Sequence, residues 1–239
     1  MKQVFTRPLL FGHRGSSIDH AENTLSSFAE CLQHGIDGIE LDVQRCKSGE
    51  LVVIHDYDLQ RVASLPLKVA ECSYGELRQI DVGGGESIPL LEDVFALGGE
   101  NLFYDIEIKS PGIQDIGVEA LLFSAITSSS LKAKCFVSSF NPVSLLRFKH
   151  IAKDSIPTGL IYAQNASVPK ILHHGFGRHL AHPTYLKPVK EQVEKALSLG
   201  YQLCPWTVDD RGEAKKLLSL GVKGIISNNP KALQDLFNV

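Results

Sequence analysis

A chain of 239 residues can enclose one large core and lies at the upper edge of a single domain. With 44% hydrophobic and 21% charged residues it has the composition of an ordinary globular protein. A formal charge of −3 without any long basic stripe argues against a nucleic-acid backbone or an anionic membrane as partner, but leaves room for a small anion held by local cations.

From the N-terminus, "MKQVFTRPLL" has too short an apolar run for a signal peptide, and no run approaches the ~18 residues of a membrane span. The five cysteines (Cys31, Cys46, Cys72, Cys135 and Cys204) are odd in number and form no C-x-x-C pair, as expected of small buried hydrophobes in a reducing compartment. These features together predict a soluble, cytoplasmic chain. Strand-like runs follow at 9–12, 37–44, 101–109, 135–140, 158–163, 179–183, 201–208 and 223–228. Between them lie amphipathic stretches such as "TLSSFAECLQHG", "IPLLEDVFALGG" and "KEQVEKALSLG", several ending at glycine as helices commonly do. Strand and helix in alternation mean a parallel sheet, and about eight strands in this length fit a closed (β/α)8 TIM barrel of the α/β class. No linker or low-complexity stretch divides the chain, so residues 1–239 read as one domain. The extra apolar run "LVVIHD" (51–56) leads into the least patterned region, expected to be a loop excursion at about 56–88 over one barrel mouth.

Catalytic groups of such barrels sit at the C-terminal ends of strands. Strand side chains alternate, so "GIELDVQ" places Ile39, Leu41 and Val43 on one face and Glu40, Asp42 and Gln44 on the other. "YDIEIK" likewise sets Asp105, Glu107 and Lys109 opposite Tyr104, Ile106 and Ile108. With the apolar faces toward the helices, the carboxylates point into the barrel. Burying them costs several kcal/mol per ion unless compensated. Either a hard divalent cation compensates, since carboxylate oxygens suit Mg²⁺ or Ca²⁺, or the acids pair with Lys109, Arg14 or Lys223. "LLFGHRGSS" brings His13 and Arg14 to the same rim, with Gly15 freeing the backbone to turn, and "LVVIHD" adds His55. Two imidazoles, cations and carboxylates on one rim suit acid–base chemistry at an anionic ester.

The ordered set "GHRG", "ENTLSSF", "GIELDVQ", "GELVVIHD", "IPLLEDV", "IEIK", "SSF", "PWTV" and "GIISNNP" spans nearly the whole chain and resembles the glycerophosphodiester phosphodiesterase family. The resemblance implies a TIM barrel that uses one divalent cation, Mg²⁺ or Ca²⁺, to hydrolyse small-molecule glycerophosphodiesters to glycerol 3-phosphate and an alcohol in glycerophospholipid breakdown. It further implies that His13 and His55 are the acid/base pair, in either order, that Glu40, Asp42 and Glu107 are the metal ligands, and that Arg14 and Lys109 contact phosphate. Trp206, with Phe140, resembles the aromatic border of the substrate pocket. Glu22 resembles an acid supporting the turn at Gly15, and Asn23 or Thr24 caps the following helix. Two positions depart from the family pattern: Asp209 stands where asparagine is usual, and Asp105 is an additional inward acid that either pairs with Lys109 or lies deeper than the metal. Among the remaining histidines only His182, at the end of the 179–183 run, is placed to reach the mouth. A rival reading is a barrel that binds a phosphorylated metabolite without turnover; its mark would be a missing histidine or carboxylate, and none is missing.

Overall fold

The wall of the molecule is made of eight short parallel strands, β1 (Leu9–His13), β2 (Gly38–Arg45), β4 (Phe103–Ile108), β5 (Cys135–Ser139), β6 (Thr158–Tyr162), β7 (Tyr185–Pro188), β8 (Gln202–Leu203) and β9 (Gly224–Ser227), with β3 (Leu51–Val53) antiparallel on β2. They are seen in a computed structural model describing residues 4–164 and 170–237. The order is β8-β7-β6-β5-β4-β2-β1-β9. From the last residue of β8 onward, backbone bonds from Lys223 to Leu203 (2.8 Å), Ile226 to Pro205 (3.1 Å) and Val208 to Ile226 (2.9 Å) close the seam against β9. The fold is thus the predicted (β/α)8 barrel.

Alternation along the strands builds two cores. Outward residues, among them Leu10, Ile39, Leu41, Ile106, Val137, Leu186 and Ile225, are fully buried against the helices. Inward residues near the strand starts make an aromatic floor of Phe5, Phe11, Phe136 and Tyr185, with Phe5 stacked on Phe136 at 5.1 Å and edge-on to Tyr185 at 5.2 Å. This floor closes the barrel to water at one end and confines its polar residues to the other. All five cysteines are buried and unpaired with one another. Among the described residues no helix is long and apolar enough to cross a membrane.

Local signals set the element boundaries. The helix Leu25–Gln33 is capped by Thr24, not Asn23: the Thr24 side chain accepts from the Ser27 amide. Asn141 caps the helix Pro142–Ala152, with proline at its first position. One predicted strand is displaced. Residues 178–181 form a helical turn, and the stave is β7, starting at Tyr185. His182 therefore lies exposed before β7, at the end of the barrel opposite the mouth, and Lys223 lies before β9 at that same end.

The turn after β1 admits no Cβ. Gly15 has φ +84°, and an added Cβ would sit 2.3 Å from Ser27 Oγ and 2.7 Å from the Ser27 carbonyl carbon. Strain and overlap with backbone act together, so Gly15→Ala should lower stability by roughly 2–4 kcal/mol. Urea denaturation reads this as a lower midpoint, and an unchanged midpoint would contradict it.

Candidate active site

The inward acids meet above the aromatic floor. Asp42 on β2 stands opposite Glu107 on β4, and Glu40 opposite Asp105. One carboxylate oxygen from each of Glu40, Asp42 and Glu107 lies within 4.8 Å of the others, and all three residues are buried. Three cations face them. Lys109 Nζ is 2.6 Å from Glu107 and 3.0 Å from Asp42, and Arg14 Nε is 3.5 Å from Asp42. The third is Lys187 on β7, at 2.8 Å from Asp105 and 3.8 Å from Glu40. Asp105 thus pairs with Lys187, not Lys109, and also accepts from the hydroxyls of Ser138 (2.9 Å) and Tyr185 (3.2 Å). Lys223, considered as a partner from the sequence, is at the wrong end of the barrel.

These surroundings set the charges apart. Burial, then repulsion from Asp42, pushes the Glu40 carboxyl up to about 7, and burial also raises Glu107. Burial acts the same way on Asp42, but Lys109 and Arg14 outweigh it and hold this acid well below the usual range. Asn23 adds to the grip on Asp42: its Nδ2 donates to Oδ2 (2.8 Å) and its Oδ1 accepts from the Asp42 amide (3.3 Å). Three hard oxygen donors, two of them disfavoured as anions by burial, form a donor set that fits a divalent cation such as Mg²⁺ or Ca²⁺.

His13 ends β1, its Nδ1 2.7 Å from Asn228 Oδ1. Asn228 Nδ2 donates to Asp209 Oδ2 (2.8 Å), and Asp209 Oδ1 accepts from the Asn228 amide (2.7 Å). The unusual Asp209 therefore orients Asn228, which turns its oxygen toward the ring and makes Nδ1 the protonated nitrogen of His13. Burial, then the neighbouring Arg14 guanidinium, lowers the His13 pKa and so favours the neutral ring. Arg14 itself takes a left-handed conformation (φ +56°), donates its amide to Glu40 (3.2 Å) and its Nη1 to Glu22 (2.8 Å). Its Nε is buried without a hydrogen-bond partner among the described residues.

His55 arrives by a different route. β2 overshoots the barrel, and β3 doubles back along it, so that the Ile54 amide donates to the Asp42 carbonyl (2.9 Å). Gln44 Nε2 holds the returning chain by its carbonyls at Ile54 (3.0 Å), His55 (3.3 Å) and Asp56 (2.8 Å). His55 Nδ1 lies 2.6 Å from Asp56 Oδ1. Asp56 Oδ2 accepts from Arg61 Nε (2.6 Å), and Arg61 reaches on to Glu22 at 2.6 and 2.9 Å. Both acids are held below their usual range despite burial, Asp56 by Arg61 and the hydrogen bond to His55, and Glu22 by Arg61 and Arg14.

A cavity of about 200 Å³ is lined by His13, Arg14, His55, Glu40, Glu107 and Lys187, with Phe140 and Trp206 on its apolar side. The two aromatic rings meet edge to face at 5.6 Å, and Trp206 Nε1 donates to the Lys187 carbonyl (3.0 Å). An outer groove of about 780 Å³ shares His55, Glu107 and Phe140 with this cavity and takes in Lys109. The structure thus brings together Glu40, Asp42, Glu107, His13, Arg14, His55, Lys109, Phe140 and Trp206 at the mouth, with Gly15 in the turn beside them and Glu22 behind Arg14, but leaves His182 and Lys223 at the opposite end. The sequence reading missed Lys187, Asn228, Asp56 and Arg61. Lys187 had a signal, an inward lysine on a stave, once β7 is placed correctly.

Comparison with known proteins agrees with this geometry. Residues 13–232 match the model of the glycerophosphoryl diester phosphodiesterase family. A glycerophosphodiester phosphodiesterase of Caldanaerobacter subterraneus subsp. tengcongensis is 35% identical over 238 residues, covering 96% of this chain and 98% of that protein. One from Bacillus altitudinis is 32% identical over 236 residues, covering 92% and 94%. A phosphodiesterase from Oleispira antarctica, solved with its product sn-glycerol-3-phosphate, superposes with a TM-score of 0.77 at 26% identity over 98% of each chain.

Proposed function

From the premise that the chain belongs to the glycerophosphoryl diester phosphodiesterase family and so hydrolyses glycerophosphodiesters, we propose that it does so as one catalytic domain, with His13 as general base, His55 as general acid, and a divalent cation held by Glu40, Asp42 and Glu107. The observation that carries the assignment is the unlike partnering of the two imidazoles: Nδ1 of His13 faces a neutral carboxamide, Nδ1 of His55 a carboxylate. The carboxylate holds the His55 ring by Nδ1 and leaves Nε2 as the nitrogen that gives a proton, whereas burial beside Arg14 favours the neutral form of the His13 ring, which can take one.

Substrate phosphate enters the cavity against Arg14, with Lys109 in the adjoining groove, and Arg14 Nε, ion-paired with Asp42 but without a hydrogen bond, is a donor that one of its oxygens satisfies. The cation, when bound, supplies Lewis-acid stabilisation of charge building on the non-bridging oxygens. Nε2 of His13 accepts the proton of the attacking hydroxyl, whether of water or of the adjacent glycerol. As the bond from phosphorus to the departing oxygen breaks, His55 delivers its proton to that oxygen, so the alcohol leaves neutral. Phe140 and Trp206 wall off bulk water on one side. Lys187 stays on Asp105 and Glu40 and keeps the deeper acids charge-balanced.

Incubating the purified protein with a glycerophosphodiester panel (choline, ethanolamine, glycerol and inositol esters), with and without chelator, tests the whole reading. Release of glycerol 3-phosphate from at least one ester, abolished by chelator and restored by Mg²⁺ or Ca²⁺, is expected. Release indifferent to chelator would overturn the metal assignment, and no release from any ester would favour a binding protein.

A further inference from the structure

We propose that Arg61, which touches no reacting group, is a positioning residue that holds the general acid His55 and the phosphate anchor Arg14 in one frame; this rests on the reading of His55 as the acid. The contacts form an unbroken chain: His55 Nδ1 to Asp56 (2.6 Å), Asp56 to Arg61 Nε (2.6 Å), Arg61 to both oxygens of Glu22 (2.6 and 2.9 Å), and Glu22 to Arg14 (2.8 Å). Each acid therefore faces two partners, and Arg61 is the one they share.

The site is assembled from two separately anchored parts, which gives this link its purpose. Arg14 sits on the turn after β1, whereas His55 sits on the chain returning from β3. Arg61 lies in the short helix Gln60–Ala63, within the excursion, and reaches across to Glu22 on the barrel side. An exposed ion pair contributes little to stability, and Arg61 is half exposed. Its contribution is geometric: a proton donor and a phosphate anchor must keep their separation for the leaving oxygen to meet Nε2, and misplacement by about 1 Å can cost on the order of a hundredfold in rate. The planar fork of arginine serves carboxylates on two sides at once, which a lysine ammonium does not match.

The test compares two substrates with the same glycerophosphate and different leaving groups, glycerophosphocholine and the p-nitrophenyl ester of glycerol 3-phosphate. An alkoxide needs a proton as it leaves and p-nitrophenolate does not. Arg61→Lys should lower kcat for the choline ester by about tenfold to a hundredfold and leave kcat for the p-nitrophenyl ester little changed, while KM rises for both as Arg14 loosens. Guanidinium ion added to Arg61→Ala should restore part of the choline-ester rate. Equal loss of kcat on both substrates, or no loss on either, would overturn the role of Arg61. His55→Ala serves as the reference. If it shows leaving-group dependence and Arg61→Lys does not, only Arg61 is wrongly placed. If His55→Ala shows none, the acid assignment fails and takes this inference with it.

Discussion

Replacing His13 with alanine is expected to lower kcat for glycerophosphocholine by about 10²–10⁴-fold, the contribution of a positioned acid or base, and His55→Ala should do likewise. The two residues sit on unrelated segments, β1 and the chain after β3, so equal dependence on both would argue for one reaction crossing the cavity between them. Steady-state assays of released glycerol 3-phosphate measure the effect, and near-wild-type turnover in both variants would end the assignment. The pH profile separates the roles. A base works only while neutral, and the His13 pKa is lowered by burial and Arg14, so the ring keeps its working form below the ordinary histidine value of about 6.5. The acid limb of kcat/KM should therefore lie below that value, with activity lost as pH falls through it. A limb at or above it would contradict His13 as base.

Glu107→Gln should cost nearly as much, by removing a hard anionic donor while keeping the shape of the side chain. Lewis-acid stabilisation is worth several kcal/mol, so hydrolysis should fall by on the order of a hundredfold or more. Cation binding can be read independently of turnover. The wild type should give a calorimetric signal with Mg²⁺ or Ca²⁺ and a melting temperature that rises with cation concentration, and the variant should lose both. Asp42, 3.0 Å from Lys109 Nζ in the wild type, remains as its partner, so the ammonium should not be left stranded in the variant. A variant that binds the cation as the wild type does would remove Glu107 from the ligand set.

How far the site can be read from the sequence depends on how local its signals are. β2 and β4 are legible because alternation from Ile39 to Val43 and from Tyr104 to Ile108 separates apolar and acidic faces. Gly12–Gly15 and the second histidine are legible as compact motifs. β7 is not: its four residues include an inward lysine and end at proline, so the apolar signal shifts to the preceding "HLAH" stretch, which forms a helical turn before an exposed His182. Asn228 and Arg61 are illegible for another reason. Asn228 meets His13 across 215 positions, and Arg61 meets Glu22 across 39 from the least patterned part of the chain. Asp56 adjoins a recognised histidine, yet nothing in a dipeptide says that its carboxylate turns back onto the ring.

The hairpin of β2 and β3 divides the labour between a wall and an appendage. The staves carry His13 and the carboxylates, with Arg14 on the turn after β1. His55, Asp56 and Arg61 ride on a segment with its own small core, built from Val52, Ile54, Leu59, Val69, Leu77 and Ile88. Evolution can therefore recut the side of the enzyme that meets the departing alcohol without rebuilding the barrel. For a protein engineer the expected result is that the segment after Ile54 can be exchanged as one piece, provided that it still packs on Val52 and Ile54 and that Arg61 still finds Glu22.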